Sequence, residues 1–269
     1  LLGVPSEEIL EYINFKKKEN IMKKYRYLFL TLLCLNIVTL QGQSLTTNKS
    51  YSKDTLKSEN FLKELIVPTS LIGLGLIINN SNFEKEFQEK LRNSVGNDYY
   101  SSIDDYLRYL PIAEMYIADI IGVKAKNHWF DQTKYLFISN LFTSIITHGL
   151  KRVTNKTRPD GSPYSFPSGH TSFAFTNATV LYEEFEDSSP ILAYSGYALA
   201  ATNGAFRMIN NKHWLSDVLV GAGIGILVTK LVYHFEPLKN FNPFKKSKNI
   251  SFFPQYIENT YGFYFKYEL

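Results

Sequence analysis

An all-α bundle of six main helices is the fold class this sequence predicts, and three observations predict it. From about Phe61 to His234, apolar runs long enough for helices alternate with short polar stretches. One of those runs, Ser188 to Phe206, holds 19 uncharged residues between Asp187 and Arg207. Another, Val218 to Thr229, carries no charge and spaces Gly221, Gly223 and Gly225 so that a neighbouring helix can approach closely.

The elements follow in order. A first helix is expected over Phe61 to Asn79, with Pro68 inside its apolar run. Asn80 to Asp105 is polar and reads as loops with a short amphipathic helix. Leu107 to Val123 forms the second helix, carrying Glu114 and Asp119, and Trp129 to Leu150 the third. The last three run from Ser168 to Glu184, Pro190 to Met208 and His213 to His234. Ser188 to Phe206 comes closest to the roughly 20 apolar residues that cross a bilayer. The bundle is therefore expected to be membrane-associated, with a soluble bundle around a very apolar core as the other reading.

The chain has 269 residues, 45% of them hydrophobic and 20% charged, which excludes wholesale disorder. The 29 Lys and Arg against 25 Asp and Glu give a net charge of +4, too small and dispersed to imply nucleic acid. Cys34 is the sole cysteine, so no internal disulfide or Cys-based zinc site exists.

Residues 1–21 read as an upstream or appended segment. From Met22 a basic start (Lys23, Lys24, Arg26) leads into the apolar stretch Leu28 to Leu40 and then Gly42 to Ser44, the layout of a secretory signal peptide. Residues 22–43 are thus a signal peptide or an N-terminal anchor, and 44–60 a linker. Residues 61–235 form the main helical domain, and 236–269 a basic aromatic tail. Within the tail, Lys239, Lys245, Lys246 and Lys248 lie beside Phe241 and Phe244, a pattern that reads either as a lipid-contacting patch or as a solvated face. The alternating aromatics that follow suggest a short β hairpin turned at Asn259 and Gly262.

Three clusters carry candidate chemistry: Lys151 to Pro159, Pro167-Ser168-Gly169-His170, and Arg207 with His213 and Asp217. Taken singly each has an ordinary explanation, as surface cations, a helix cap and a structural His–Asp pair on one helix face. Together they assemble a site for phosphate. Lys151, Arg158 and Arg207 are cations from different segments, and arginine forks suit bidentate contact with phosphoryl oxygens. Ser168 offers a hydroxyl and Gly169 an N–H at a helix N-terminus, while His170 and His213 supply groups for acid–base and nucleophilic work near neutral pH. The histidines His128, His148, His170, His213 and His234 show no tight ligand spacing, so no metal is expected.

The same residues resemble the type 2 phosphatidic acid phosphatase superfamily (PAP2), whose pattern is K-x6-R-P, then P-S-G-H, then S-R-x5-H-x3-D. Lys151, Arg158 and Pro159 meet the first part, Pro167 to His170 the second, and Arg207, His213 and Asp217 the third. The sole departure is Phe206, which stands where the pattern has serine. The resemblance implies that His213 attacks phosphorus, Asp217 orients it, and His170 acts as general acid and base. It further implies that Lys151, Arg158, Ser168, Gly169 and Arg207 bind the phosphate oxygens, with no metal and no cofactor. The implied substrate is a lipid phosphate: lipid A, phosphatidylglycerophosphate, phosphatidic acid or undecaprenyl pyrophosphate. Membrane lipids are expected as surroundings, and nothing calls for nucleic acid or an obligate protein partner. The expected place is the bacterial inner membrane with the site facing the periplasm. The alternatives are a soluble periplasmic class A-like acid phosphatase acting on small phosphomonoesters, a vanadium haloperoxidase, and a lipid-phosphate binder without turnover.

Overall fold

The computed structural model describes residues 61–96, 98–235, 250–257 and 260–267. The expectations for the upstream segment, the signal peptide or anchor, the linker and the lysine-rich patch lie outside those residues. The chain divides into a helical unit that ends at His234 and a second unit from Phe235 onward.

The helical unit contains α1 (Ile66–Ile78), α2 (Asn82–Val95), α3 (Ile103–Leu107), α4 (Leu110–Ile120), α5 (Trp129–Thr154), α6 (Gly169–Phe185), α7 (Pro190–Ile209) and α8 (Leu215–His234). The all-α expectation holds for this unit, and the stretch read as loops with a short amphipathic helix holds two helices, α2 and α3. α2 starts at a Ser-x-x-Glu signal: Ser81 Oγ accepts from Glu84 N at 3.1 Å, and the Glu84 carboxylate accepts from Asn80 N at 2.8 Å. The expected Leu107 to Val123 helix is α4, which starts at Leu110 with Pro111 in its first turn and ends at Ile120, while α3 lies almost wholly in the stretch before it. α5 runs one turn beyond its expected end, to Thr154, before Asn155 turns left-handed at φ 43°. Lys151 is therefore a helical residue of its last turn. Pro68 causes no break, since it lies in the first turn of α1, where its missing N–H would have had no helical partner.

α8 lies at the centre, packed on α6, α1 and α5. Glycine permits this on two of its faces. A Cβ on Gly221 would stand 2.7 Å from Ser168 O, and one on Gly225 would stand 2.5 Å from Ser172 O, both backbone atoms at the start of α6. On the opposite face a Cβ on Gly223 would meet Pro68 O of α1 at 2.7 Å. Gly225→Ala therefore should cost about 1–3 kcal/mol, because backbone rather than a flexible side chain must move. Gly149→Ala, in α5 with nothing within 4 Å of the added atom, should be neutral or stabilising. Thermal melts of the two variants in detergent check this, and equal melting temperatures would contradict it. α5 and α6 are joined by a polar seam: Asn140 Nδ2 donates to Asn177 Oδ1 at 2.8 Å, Thr143 and Thr176 hydroxyls meet at 3.0 Å, and Thr147 and Ser172 at 3.1 Å.

Among the described helices, two are long and apolar enough to cross a membrane by length and composition, Phe61–Ile78 and Leu215–His234. The run expected to come closest, Ser188 to Phe206, is not one of them. Freedom from charge is not apolarity: Tyr194, Ser195, Tyr197, Thr202 and Asn203 dilute the run.

The second unit contains an antiparallel pair, β1 (Ile250–Ile257) and β2 (Thr260–Tyr267), in register from Ile250 opposite Tyr267 to Ile257 opposite Thr260. The expected hairpin is present, but Gly262 is not in its turn; it lies within β2, opposite Gln255. Asn259 falls outside the described residues.

Candidate active site

Lys151 ends α5, Arg158 lies in the loop beyond it, and Ser168-Gly169-His170 opens α6. Arg207 is in the last turn of α7, and His213 with Asp217 spans the entry to α8. Ser168 caps α6: its Oγ accepts from Thr171 N at 3.4 Å and from the Thr171 hydroxyl at 2.9 Å. Its backbone N–H donates to Asp217 O at 2.9 Å, which ties the second sequence cluster to the third. Gly169 is small where Lys151 passes, with Lys151 Cε 3.7 Å from the Cβ position.

His213 is buried, and it precedes α8 instead of sharing a helix face with Asp217. Asn211, with φ 60°, reverses the chain after α7, and the backbone N–H groups of Lys212 and His213 both donate to Arg207 O. His213 Nδ1 then stands 3.5 Å from Asp217 Oδ2, within electrostatic reach but outside hydrogen-bond geometry, so that Nδ1 has no hydrogen-bond partner. Burial holds the His213 imidazole down to about 4, opposed by Asp217 and reinforced by Lys151 and Arg207. At neutral pH the ring is uncharged, with a free lone pair.

The cations face one another. Lys151 is lowered to about 8 by burial and by Arg158 and Arg207, against the attraction of Asp217; its ammonium donates to Tyr164 O at 2.7 Å. Arg158 Nε and Arg207 Nε are buried donors without a hydrogen-bond partner. Two unpaired guanidinium donors beside a like-charged ammonium are costly unless an anion completes them. His170 is lowered to about 4 by burial and by Arg207, while its contact with Asp105 works in the opposite direction. The structure thus brings Lys151, Arg158, Arg207, His213 and Asp217 into mutual electrostatic reach and places His170 beside Arg207.

Several participants were not found by sequence reasoning. Lys156, read as a surface cation, has a buried side chain, and its ammonium lies 3.1 Å from Glu84 Oε2, 3.1 Å from Asp217 Oδ1 and 2.8 Å from Ser216 Oγ. Asp217 Oδ2 accepts from Ser165 Oγ and from Trp214 N, the latter at 2.9 Å. Glu84 also accepts from Ser216 N at 2.9 Å, which fixes the first turn of α8 to α2. Asp104 Oδ2 pairs with Arg207 Nη1 at 2.5 Å, and Asp105 Oδ1 with His170 Nε2 at 3.0 Å. The Ser-x-x-Glu spacing announces Glu84 as a cap, but no local signal points to Lys156, 72 residues away, or to Ser216, 132 residues away. Asp104, Asp105 and His170 bring ligand-type atoms within 4.8 Å of one another, yet Arg207, Asn210 and the His170–Asp105 contact itself already engage them.

The helical bundle gathers three cations and a neutral, carboxylate-backed histidine, a set of charges and donors whose chemistry suits an oxyanion. Residues 132–241 match the model of the PAP2 superfamily. Over 154 residues the chain is 32% identical to a lipid A 1-phosphatase of Porphyromonas gingivalis, covering 55% of this chain and 34% of that protein. The chain spans about a third of the length of this curated relative. Solved structures with similar folds include Aquifex aeolicus LpxE, 23% identical with a TM-score of 0.43 over 55% of this chain and 94% of that one. Another is a transmembrane PAP2-type phosphatidylglycerolphosphate phosphatase from Bacillus subtilis, 19% identical with a TM-score of 0.48 over 66% of this chain and 99% of that one.

Proposed function

We propose that this protein is a membrane-associated phosphatase that removes a terminal phosphate from a lipid by way of a phosphohistidine. The observation that carries the reading is His213: buried, neutral, backed by Asp217 and surrounded by Lys151, Arg158 and Arg207. Because Nδ1 is the nitrogen turned to Asp217, Nε2 is the one that attacks. Its lone pair forms the N–P bond as the bond from phosphorus to the leaving oxygen breaks. Protonated His170 gives its proton to that oxygen. Neutral His170 then takes a proton from water, the hydroxide attacks phosphorus, and the N–P bond breaks to release inorganic phosphate. Asp217 offsets the positive charge on the phosphorylated ring, as the orienting acid of a nucleophile–carboxylate pair does. Lys151, Arg158 and Arg207 bind the phosphoryl oxygens, joined by the hydroxyl proton of Ser168 and the N–H of Gly169 at the start of α6. An arriving phosphate dianion also restores the proton affinity that Arg207 withholds from His170 in the free site.

Lipid is favoured over small esters by the outer surface. Ile66, Val67, Leu74, Phe137, Ile145 and Ile191 are each more than half exposed, on helices that would otherwise offer this apolar area to water. The P. gingivalis relative makes the 1-phosphate of lipid A the first substrate to try, and the site loops are assigned to the periplasmic side. In mild detergent, purified protein should release phosphate from lipid A at least tenfold faster, per kcat/KM, than from a soluble phosphomonoester such as p-nitrophenyl phosphate. Equal or faster turnover of the soluble ester would replace this reading with that of a small-ester acid phosphatase.

A further inference from the structure

We propose that Asp105 is the positioning carboxylate of His170, so that the site runs on two histidine–carboxylate pairs. The His213–Asp217 pair lies within the sequence pattern; the second comes from α3, a five-residue helix outside the region that matches the superfamily. The inference rests on the hydrolase reading for the role of His170, while the contact itself stands on geometry.

α3 is wedged against α7 and α6, and its two adjacent acids address one each. Asp104 is buried and anchors the helix to α7: its carboxylate takes Arg207 and, at 2.9 Å, Asn210 Nδ2, while its backbone oxygen accepts from Asn203 Nδ2. With Asp104 pinned, Asp105, one residue or about 100° further round the helix, is presented to the start of α6. There its Oδ1 lies 3.0 Å from His170 Nε2. An ionised carboxylate only accepts, so Nε2 carries the proton. Nδ1 is then the working nitrogen, a base when neutral and the proton donor when the ring is charged. The charged groups facing His170 are Arg207 from α7, Arg108 just beyond α3, and Asp105, and only Asp105 favours the protonated acid.

The side chain of Asp105 is 45% exposed, so Asp105→Asn should fold. In wild-type and D105N protein in detergent, the histidine rings are followed by 15N NMR with His170 assigned by its loss in H170Q, and phosphate release from lipid A is measured across pH. In D105N the His170 titration should move to lower pH and its Nε2–H tautomer should lose dominance. With substrate, kcat should fall about 10–100-fold, the scale of losing an orienting partner, with KM changed less than about threefold. The alkaline limb of kcat should shift to lower pH, and Asp105→Glu should restore part of the rate. An unchanged His170 titration and tautomer, or an unchanged kcat, would overturn the proposal. So would wild-type activity that chelator abolishes and a divalent cation restores, because Asp105 would then be a metal ligand. If wild-type protein hydrolyses no phosphate ester, the phosphatase reading fails while the NMR result still decides the His170–Asp105 contact.

Discussion

His213→Ala should abolish phosphate release, with kcat reduced about 10⁴-fold or more, the scale expected when a covalent nucleophile is removed. The size of the effect follows from the site. His213 is the buried, uncharged imidazole in contact with Asp217, and His170, held by Asp105, does not reach that carboxylate in any contact of the described residues. A rapid quench of wild-type enzyme with phosphate-labelled lipid should trap a phosphoenzyme that survives alkali and is lost in acid, as a phosphoramidate is. H213A should trap none. His213→Asn, which fills more of the buried space, controls for collapse of the pocket and should be equally inactive. Turnover within tenfold of wild type in either variant would move the nucleophile to another residue.

Lys156→Met should produce the largest loss of stability among single polar substitutions in the helical unit. The variant leaves Glu84 and Asp217 as neighbouring buried carboxylates without the ammonium 3.1 Å from each. Breaking a buried pair by removing one partner costs about 3–5 kcal/mol, since the orphaned charge stays desolvated. The apparent melting temperature in detergent should fall by roughly 10 °C. Adding Glu84→Gln to Lys156→Met should recover part of the loss by removing one of the two carboxylates. Lys212→Met is the contrasting case: its partner Asp160 is 2.9 Å away, but both side chains reach solvent, and such pairs contribute at most about 1 kcal/mol. Equal melting temperatures for the Lys156 and Lys212 variants would refute the buried network.

The two variants probe different levels of the molecule. In the proposed mechanism His213 acts on phosphorus, whereas Lys156 contacts the carboxylate behind it and ties α2 to the entry of α8 through Glu84 and Ser216. Loss of Lys156 should therefore lower activity and stability together, and loss of His213 should lower activity alone.

Much of this protein was readable in one dimension. Helix boundaries respond to local chemistry, such as Pro190 at the start of α7 or Ser168 capping α6, and these were placed within a residue or two. The spacing Lys151–Arg158, Ser168-Gly169-His170 and Arg207–His213–Asp217 named the candidate reactive groups because each cluster sits at a helix end, where few residues separate the side chains that must converge. Some errors were local as well. An uncharged run was mistaken for an apolar one at Ser188 to Phe206, and a glycine in β2 was mistaken for a turn residue. What only the tertiary structure decided is which charges meet. Glu84 reaches Lys156 across 72 residues and Asp104 reaches Arg207 across 103, and no periodicity records such distances. Gly221, Gly223 and Gly225 let α8 sink between α6 and α1, where its entry meets Glu84 of α2, while Asp104 reaches Arg207 through the packing of α3 on α7 and α6. Hydrogen bonding along the chain determines a helix; burial across the bundle determines what a buried charge has for a neighbour.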